Sequence, residues 1–134
     1  MPDVEETTSG ANPSDQGNGG DVAEPAITHV VEGDTARVSV AGELTDAARR
    51  PLVRLLTDLL LGARSLRRLE LDLRRVTFVN SAGLSVLVQV QRLVAGHGIE
   101  PVLVAPSAVV RGPLMLSGLW HRFGLVDEEP GPGS

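Results

Sequence analysis

Cysteine is absent from the 134 residues of this chain, which excludes disulfides, thiolate catalysis and every metal site with a cysteine ligand. Aromatic residues are almost as scarce, because the sequence holds two Phe, one Trp and no Tyr. Leu and Val must therefore build the core of any fold. No apolar run approaches the roughly 20 residues that cross a bilayer, and the acidic N-terminus is unlike a secretory signal. These absences predict a cytoplasmic protein with no membrane partner.

Lysine is also absent, and charge is distributed unevenly along the chain. The formal net charge is -5, but residues 1–25 hold six acids and no base, which leaves 12 Arg against 11 acids in the remainder. A nucleic-acid binder needs a clustered basic excess together with stacking aromatics or a groove-reading motif. The sequence shows neither, so we expect no nucleic-acid partner.

The two ends of the chain differ in composition from its centre. Residues 1–25 are rich in Gly, Ser, Asn, Pro and acids, which predicts a disordered acidic tail. Two interpretations of this tail stay open: a tether or electrostatic shield, and a solvating extension without specific contacts. Residues 129–134 are predicted to form a disordered C-terminal tail. The folded domain is therefore expected to span residues 26–128.

Within that domain the apolar pattern changes period several times. Residues 26–31 and 35–40 predict a hairpin, and leucines at helical spacing over residues 52–60 predict a helix with Pro51 in its first turn. Residues 68–74 alternate as a strand that continues to a turn at 80–83. A helix over 84–94, a strand at 102–104, a helix capped by Ser107 and a short last segment at 123–126 follow. The order predicts an α/β fold with a small mixed sheet of four to five strands and helices packed against it.

Candidate catalytic groups are few. The three histidines, His29, His97 and His121, are far apart and stand at no metal-ligand spacing. Glu70 and Asp72 project from one strand face, but a solvated face explains them more simply than acid/base catalysis. We therefore expect a protein that is not an enzyme and that needs no metal or cofactor.

The turn before the second predicted helix is the most informative segment. Ser81 follows Asn80 at a strand-to-helix junction, where the first backbone N–H groups of a helix have no intrahelical partner. Such a junction attracts anions. On these residues alone two interpretations remain open: a helix cap worth about 1 kcal/mol, and a site for a modifying group.

A family resemblance bears on this choice. Leu71-Asp72-Leu73, followed by Val-Thr-Phe-Val-Asn-Ser-Ala-Gly-Leu over residues 76–84, resembles the signature of STAS domains of the anti-sigma factor antagonist, or anti-anti-sigma factor, family. Upstream, residues 40–44 resemble the family's Gly-Glu-Leu-Asp segment. Downstream, residues 107–111 and 117–123 resemble its last helix and end. The resemblance covers about residues 26–128, and its spaced blocks are more specific than one short motif.

The resemblance implies a bacterial phosphoprotein that regulates transcription through a sigma factor. Ser81, in the turn formed with Asn80, Ala82 and Gly83, is the implied phosphorylation site. The implied partners are an anti-sigma factor serine kinase, which the unphosphorylated form binds so that a sigma factor is freed, and a phosphatase that resets the cycle. Asn80 stands where the family usually has Asp, so it keeps the capping role without the charge.

Helical spacing predicts the partner-binding surface. Its members either share the outward face of the second helix or follow the Gly-Glu-Leu segment: Ser81, Ser85, Val88, Gln89, Arg92, Thr45 and Asp46. In the second group Thr45 stands in the place of the family's Asp, and Asp46 is the next residue. The alternative function is a STAS scaffold that is not phosphorylated and acts in a stress-signalling or transporter complex.

Overall fold

The structure is a computed structural model that describes residues 24–62 and 65–126. The predicted C-terminal tail and all but the last two residues of the predicted N-terminal tail lie outside the described residues. Within the described part of the chain, no helix is long and apolar enough to cross a membrane. That same part contains no group of three or more His, Asp or Glu side chains that could hold a metal ion.

A five-stranded mixed sheet forms the framework, as the order of elements predicts. The strands lie side by side in chain order, with β1 antiparallel to β2 and every other neighbouring pair parallel. The β1–β2 connection is the predicted tight hairpin, in which Gly33 has a φ of 60°. The strands are β1 (Ala26–Glu32), β2 (Thr35–Leu44), β3 (Arg68–Val79), β4 (Glu100–Val104) and β5 (Gly124–Val126).

Three helices connect the parallel strands: α1 (Arg49–Leu61), α2 (Ser81–Ala95) and α3 (Ala108–Ser117). Two 3₁₀ turns, Asp46–Ala48 and Leu119–Arg122, precede α1 and follow α3. Pro51 lies in the first turn of α1, as predicted, where a missing N–H costs nothing. Gly118 ends α3 with a φ of 78°, the left-handed conformation that favours glycine at this position.

Two sequence-based details were wrong. The helix predicted over residues 84–94 begins earlier, at Ser81, because Asn80 caps it and residues 81–83 form its first turn. Ser107 is the N-cap residue of α3, as predicted, but its hydroxyl does not make the capping hydrogen bond. The hydroxyl instead donates a 2.7 Å hydrogen bond to the carbonyl oxygen of Val76, which ties the start of α3 to β3.

The aliphatic core lies between one face of the sheet and the three helices. Alternate residues of β2 and β3, such as Val38 and Leu71, share one buried cluster with residues of all three helices. Right-handed crossovers between strands that are adjacent in chain order place the helices on the same face. The helical members of this cluster are Leu52, Leu56, Val86, Leu87, Val90, Val94, Val110 and Leu114.

The opposite face of the sheet, here called the charged sheet face, carries paired charges. Glu70 accepts from Arg37 at 3.0 Å and from Arg68 at 2.9 Å, so one carboxylate joins two arginines. Asp72 is paired with Arg74 at 2.7 Å. Burial opposes ionisation of Asp72, but the hydrogen bonds from the side chain and backbone N–H of Arg74 and the nearby arginine charges lower its pKa below the usual value.

Candidate functional site

The site begins where β2 and β3 end side by side. Leu44 pairs with Val79 as the last residues of the two strands, so the loops that follow them are neighbours. Gly83 fixes the distance between these loops, because a Cβ atom at Gly83 would lie 1.9 Å from the carbonyl oxygen of Leu44. Only glycine allows this approach of helix to strand. The packing brings the Gly-Glu-Leu segment and the Asn-Ser-Ala-Gly turn together, although they are far apart in sequence.

Asn80 sets the start of α2. Its side-chain oxygen accepts a 2.8 Å hydrogen bond from the backbone N–H of Gly83, and its carbonyl oxygen accepts from the N–H of Leu84 at 3.0 Å. Both bonds are those of a helix N-cap. Neither Asn80 nor any residue of the first turn of α2 carries a negative charge. The positive end of this helix is therefore capped but not neutralised.

Ser81 is the first residue of α2, and its side chain is exposed. Its hydroxyl makes no hydrogen bond with any residue in the described ranges 24–62 and 65–126. Helix geometry leaves the N–H groups of Ser81 and Ala82 without an intrahelical acceptor. An exposed hydroxyl beside open N–H donors can accept a modifying enzyme and can hold an anionic group once it is attached.

Thr45 and Asp46 lie beside this helix end, but they differ in exposure. Thr45 is only 3% exposed, and its hydroxyl accepts a 3.2 Å hydrogen bond from the N–H of Ala47. It therefore holds the 3₁₀ turn in place and does not present a side chain to a partner. Asp46 is exposed and is paired with Arg49 at 2.8 Å.

The outward face of α2 agrees with its predicted periodicity. Ser85, Gln89 and Arg92 are exposed and Val88 is half-buried, whereas the inward Leu87 belongs to the core. Together with Arg49, the four outward residues line a shallow depression between α1 and α2. The predicted surface is therefore continuous from Ser81 along α2.

Arg49 is the residue of this site that sequence reasoning missed. Its guanidinium is paired with Asp46 and also donates to the side-chain oxygen of Gln89, which links α1 to α2. The spacing of Asp46 and Arg49, three residues apart, could have indicated the first contact. The contact with Gln89 depends on how the two helices pack, which the sequence pattern does not specify.

Three solved structures share this fold. The anti-sigma factor antagonist SpoIIAA in its unphosphorylated form has a TM-score of 0.59 and 18% identity, covering 78% of this chain and 90% of that one. An anti-sigma factor antagonist from Mycobacterium paratuberculosis gives 0.57 and 24%, covering 76% and 85%. A sulfate transporter family protein from Wolinella succinogenes gives 0.61 and 20%, covering 74% and 81%.

Comparison by sequence identifies the family. No curated protein matches the chain. The family model described as "Mlab, STAS domain" matches residues 27–127, which is nearly all of the described part. The aliphatic core, the strand order and the Asn-Ser-Ala-Gly turn at the start of α2 all fall inside this match. The chain belongs to the STAS domain family.

Proposed function

We propose that this protein is an anti-sigma factor antagonist controlled by phosphorylation of Ser81. The unphosphorylated form binds an anti-sigma factor serine kinase and thereby frees a sigma factor. The kinase phosphorylates Ser81 and binding is lost, and a phosphatase restores the active form. Similar structures include two that are described as anti-sigma factor antagonists, which supports this proposal at the level of the general function.

The observation that carries the proposal is the exposed hydroxyl of Ser81 at the start of α2, which makes no hydrogen bond within the described part of the chain. A phosphate there would add about -1.5 to -2 charges at neutral pH. The open N–H groups and the positive helix end would stabilise it, so the fold would not change. A partner packed over the same helix end would have to desolvate the phosphate, which costs several kcal/mol unless arginines face it.

The partner surface that this mechanism requires is the outward face of α2. Ser85, Val88, Gln89 and Arg92 lie on the same side as Ser81, and Asp46 lies at the edge of this face. Val88 supplies an apolar contact at its centre. A phosphate on Ser81 would lie within the interface and not beside it, so its charge would act directly on the bound partner.

The first experiment tests both the phosphorylation and its effect. The protein is incubated with a candidate kinase and ATP, and the product is mapped by mass spectrometry. Binding of the anti-sigma factor is then measured for Ser81→Asp and Ser81→Ala. We expect Ser81→Asp to weaken binding at least about tenfold, because a buried uncompensated charge costs more than 1.4 kcal/mol.

Ser65→Asp is the matched control, since Ser65 is exposed in a loop outside the predicted surface. It should leave binding unchanged. A phosphate found only elsewhere, or equal affinities for the Ser81→Asp and Ser81→Ala variants, would contradict the proposal.

A second function is supported by the likeness to a sulfate transporter family protein. In this alternative the domain is a scaffold in a transporter or stress-signalling complex, and Ser81 is not phosphorylated. The uncharged Asn80, which stands in the family's usual Asp position, favours this alternative. Purification from cells would then recover complex or membrane components, and Ser81→Asp would bind them as well as the native chain does.

A further inference from the structure

A groove beside the partner surface concentrates positive charge. It has a volume of about 540 Å³ and includes Glu24, Arg49, Arg50, Arg54 and Gln89 in its lining. Arg49 is paired with Asp46, but Arg50 and Arg54 are exposed and make no hydrogen bond or ion pair with any residue that the structure describes. With three arginines against Glu24 and Asp46, the lining has a net charge of +1. The groove is here called the arginine groove, after the unbalanced side formed by Arg50 and Arg54.

The placement of these arginines is unfavourable for the isolated domain. Arg49 and Arg50 are the first two residues of α1, whose first turn contains no acid, and a helix start repels cations. Arg50 and Arg54 are four residues apart, so their like charges are neighbours on one helix face. An acidic ligand in the arginine groove would relieve both repulsions.

The chain itself carries a ligand of this kind. Residues 1–23 contain five acids and no base, namely Asp3, Glu5, Glu6, Asp15 and Asp21. Their connection to the domain lies at the groove, because Glu24 lines it and the next residue, Pro25, is buried against the backbone at Gly42. Asp21 is three residues from Glu24, which limits its Cα to roughly 10 Å from that of Glu24.

We propose that the acidic segment 1–23 binds in the arginine groove of its own domain. The binding is electrostatic and needs no regular secondary structure in the segment. Because the segment is covalently linked beside the groove, its local concentration there is on the order of millimolar. The occupied groove shares Arg49 and Gln89 with the partner surface, so the segment would also cover one edge of that surface. This last consequence rests on the proposed function, whereas the binding itself does not.

A spin label on the full-length chain tests the binding directly. The native chain contains no cysteine, so Ser9→Cys creates one labelling site in the acidic segment. We expect the nitroxide to broaden the amide signals around Arg50, Arg54 and Gln89 in an NMR spectrum. The broadening should be lost at 1 M salt, where the screening length falls to about 3 Å. It should also be lost in a chain that carries Arg50→Gln and Arg54→Gln.

Arg67→Gln is the matched control, because Arg67 is exposed at the start of β3 and outside the groove. It should leave the broadening unchanged. Broadening no stronger than that from free nitroxide, or equally strong with both groove arginines replaced, would overturn the proposal. A mixture of spin-labelled chains and isotope-labelled chains tests binding between copies, and broadening in that mixture would overturn binding within one chain.

The effect on the partner is measured with the five acids replaced by their amides in the full chain. If the segment occupies between half and nine-tenths of the molecules, this variant should bind the anti-sigma factor about twofold to tenfold more tightly. If the affinity is unchanged while the nitroxide still broadens the signals of the groove residues, the segment binds the groove but does not cover the partner surface. Failure of both chains to bind an anti-sigma factor would contradict the proposed function, and the spin-label result would still decide whether the segment binds the groove.

Discussion

The charged sheet face and the surface formed by α1 and α2 hold similar numbers of arginines, but the two surfaces differ in how many of these arginines are paired. On the sheet face Arg37 and Arg68 share Glu70, and Arg74 is paired with Asp72. The helical surface carries three exposed arginines whose side chains have no partner among residues 24–62 and 65–126: Arg50, Arg54 and Arg92. Three of the four arginines on the sheet face are paired within the chain, Arg75 being the exception among the described residues. On the helical surface only Arg49 of four is paired within the described residues, and the other three are available to another segment or protein.

This difference indicates what each region contributes. Breaking an ion pair on the sheet face should destabilise the fold, since it leaves a largely buried carboxylate without its partner. Little stability comes from the Ser81 hydroxyl or from Arg50, Arg54 and Arg92, whose side chains have no partner within residues 24–62 and 65–126. Substitutions should therefore separate the two regions: the sheet face should respond in unfolding experiments, and the helical surface in binding experiments.

The largest effect should come from the close approach of Gly83, at the start of α2, to the end of β2. Gly83→Ala places a Cβ atom 1.9 Å from the Leu44 carbonyl oxygen, so the start of α2 must move away from β2. We expect the free energy of unfolding to fall by about 3 kcal/mol or more in chemical denaturation.

Gly112→Ala in α3 is the matched control, because nothing apart from its chain neighbours and the backbone of α3 lies within 4 Å of the added Cβ atom. This change should alter the free energy of unfolding by less than about 1 kcal/mol, because the helix preference of alanine is opposed by the contact of its Cβ atom with the ring of Pro113, the next residue. Equal effects of the two substitutions would show that the approach of Gly83 to Leu44 is not required.

An intermediate effect is expected on the charged sheet face. Asp72→Asn should lower the free energy of unfolding by about 1 to 2 kcal/mol at pH 7, because it removes a charged acceptor of Arg74. The lowered pKa of Asp72 in the fold means that its contribution is present above the unfolded pKa of about 3.9 and is lost as the pH falls through the folded value.

The difference between native chain and variant should therefore be constant near neutrality and should disappear in strong acid. Denaturation at a series of pH values measures it, with Asp58→Asn on the exposed side of α1 as the control. A difference that grows as the pH falls would contradict the assignment.

The smallest effect is expected when one arginine from each of the two regions is replaced. Arg37→Gln breaks a 3.0 Å ion pair on the sheet face and should cost up to about 1 kcal/mol. In a chain whose five N-terminal acids are replaced by amides, so that no acidic segment occupies the groove, Arg50→Gln removes an exposed cation that has no partner among the described residues. It should change stability by about 0.3 kcal/mol or less. Thermal unfolding of the two variants measures both effects. A larger loss for Arg50→Gln would reverse the roles given to the two regions.

Local sequence signals were sufficient for most of the framework. The turn around Gly33, the position of Pro51 and the left-handed end of α3 at Gly118 each follow from the backbone preference of one residue type. The strand and helix periods gave the order of elements, and short crossovers then left few ways to arrange the sheet.

Contacts between distant elements were not predictable in the same way. The bond from Ser107 to Val76, the link from Arg49 to Gln89 and the burial of Thr45 all depend on how two elements pack against each other. Side-chain periodicity within one element carries no information on such pairs. The role of Gly83 was implied by a family motif, but its physical reason, the approach to Leu44, became visible only in three dimensions.

The uncharged cap at Asn80 also sets the charge at which this helix end starts before any phosphate is added. With Asp at this position the helix end would already hold one negative charge, and a phosphate would roughly triple it. With Asn the local charge starts at zero, and the first turn of α2 adds none. The change in charge on phosphorylation would be the same with either residue, but with Asn the phosphate would be the first negative charge that a partner meets at this helix end.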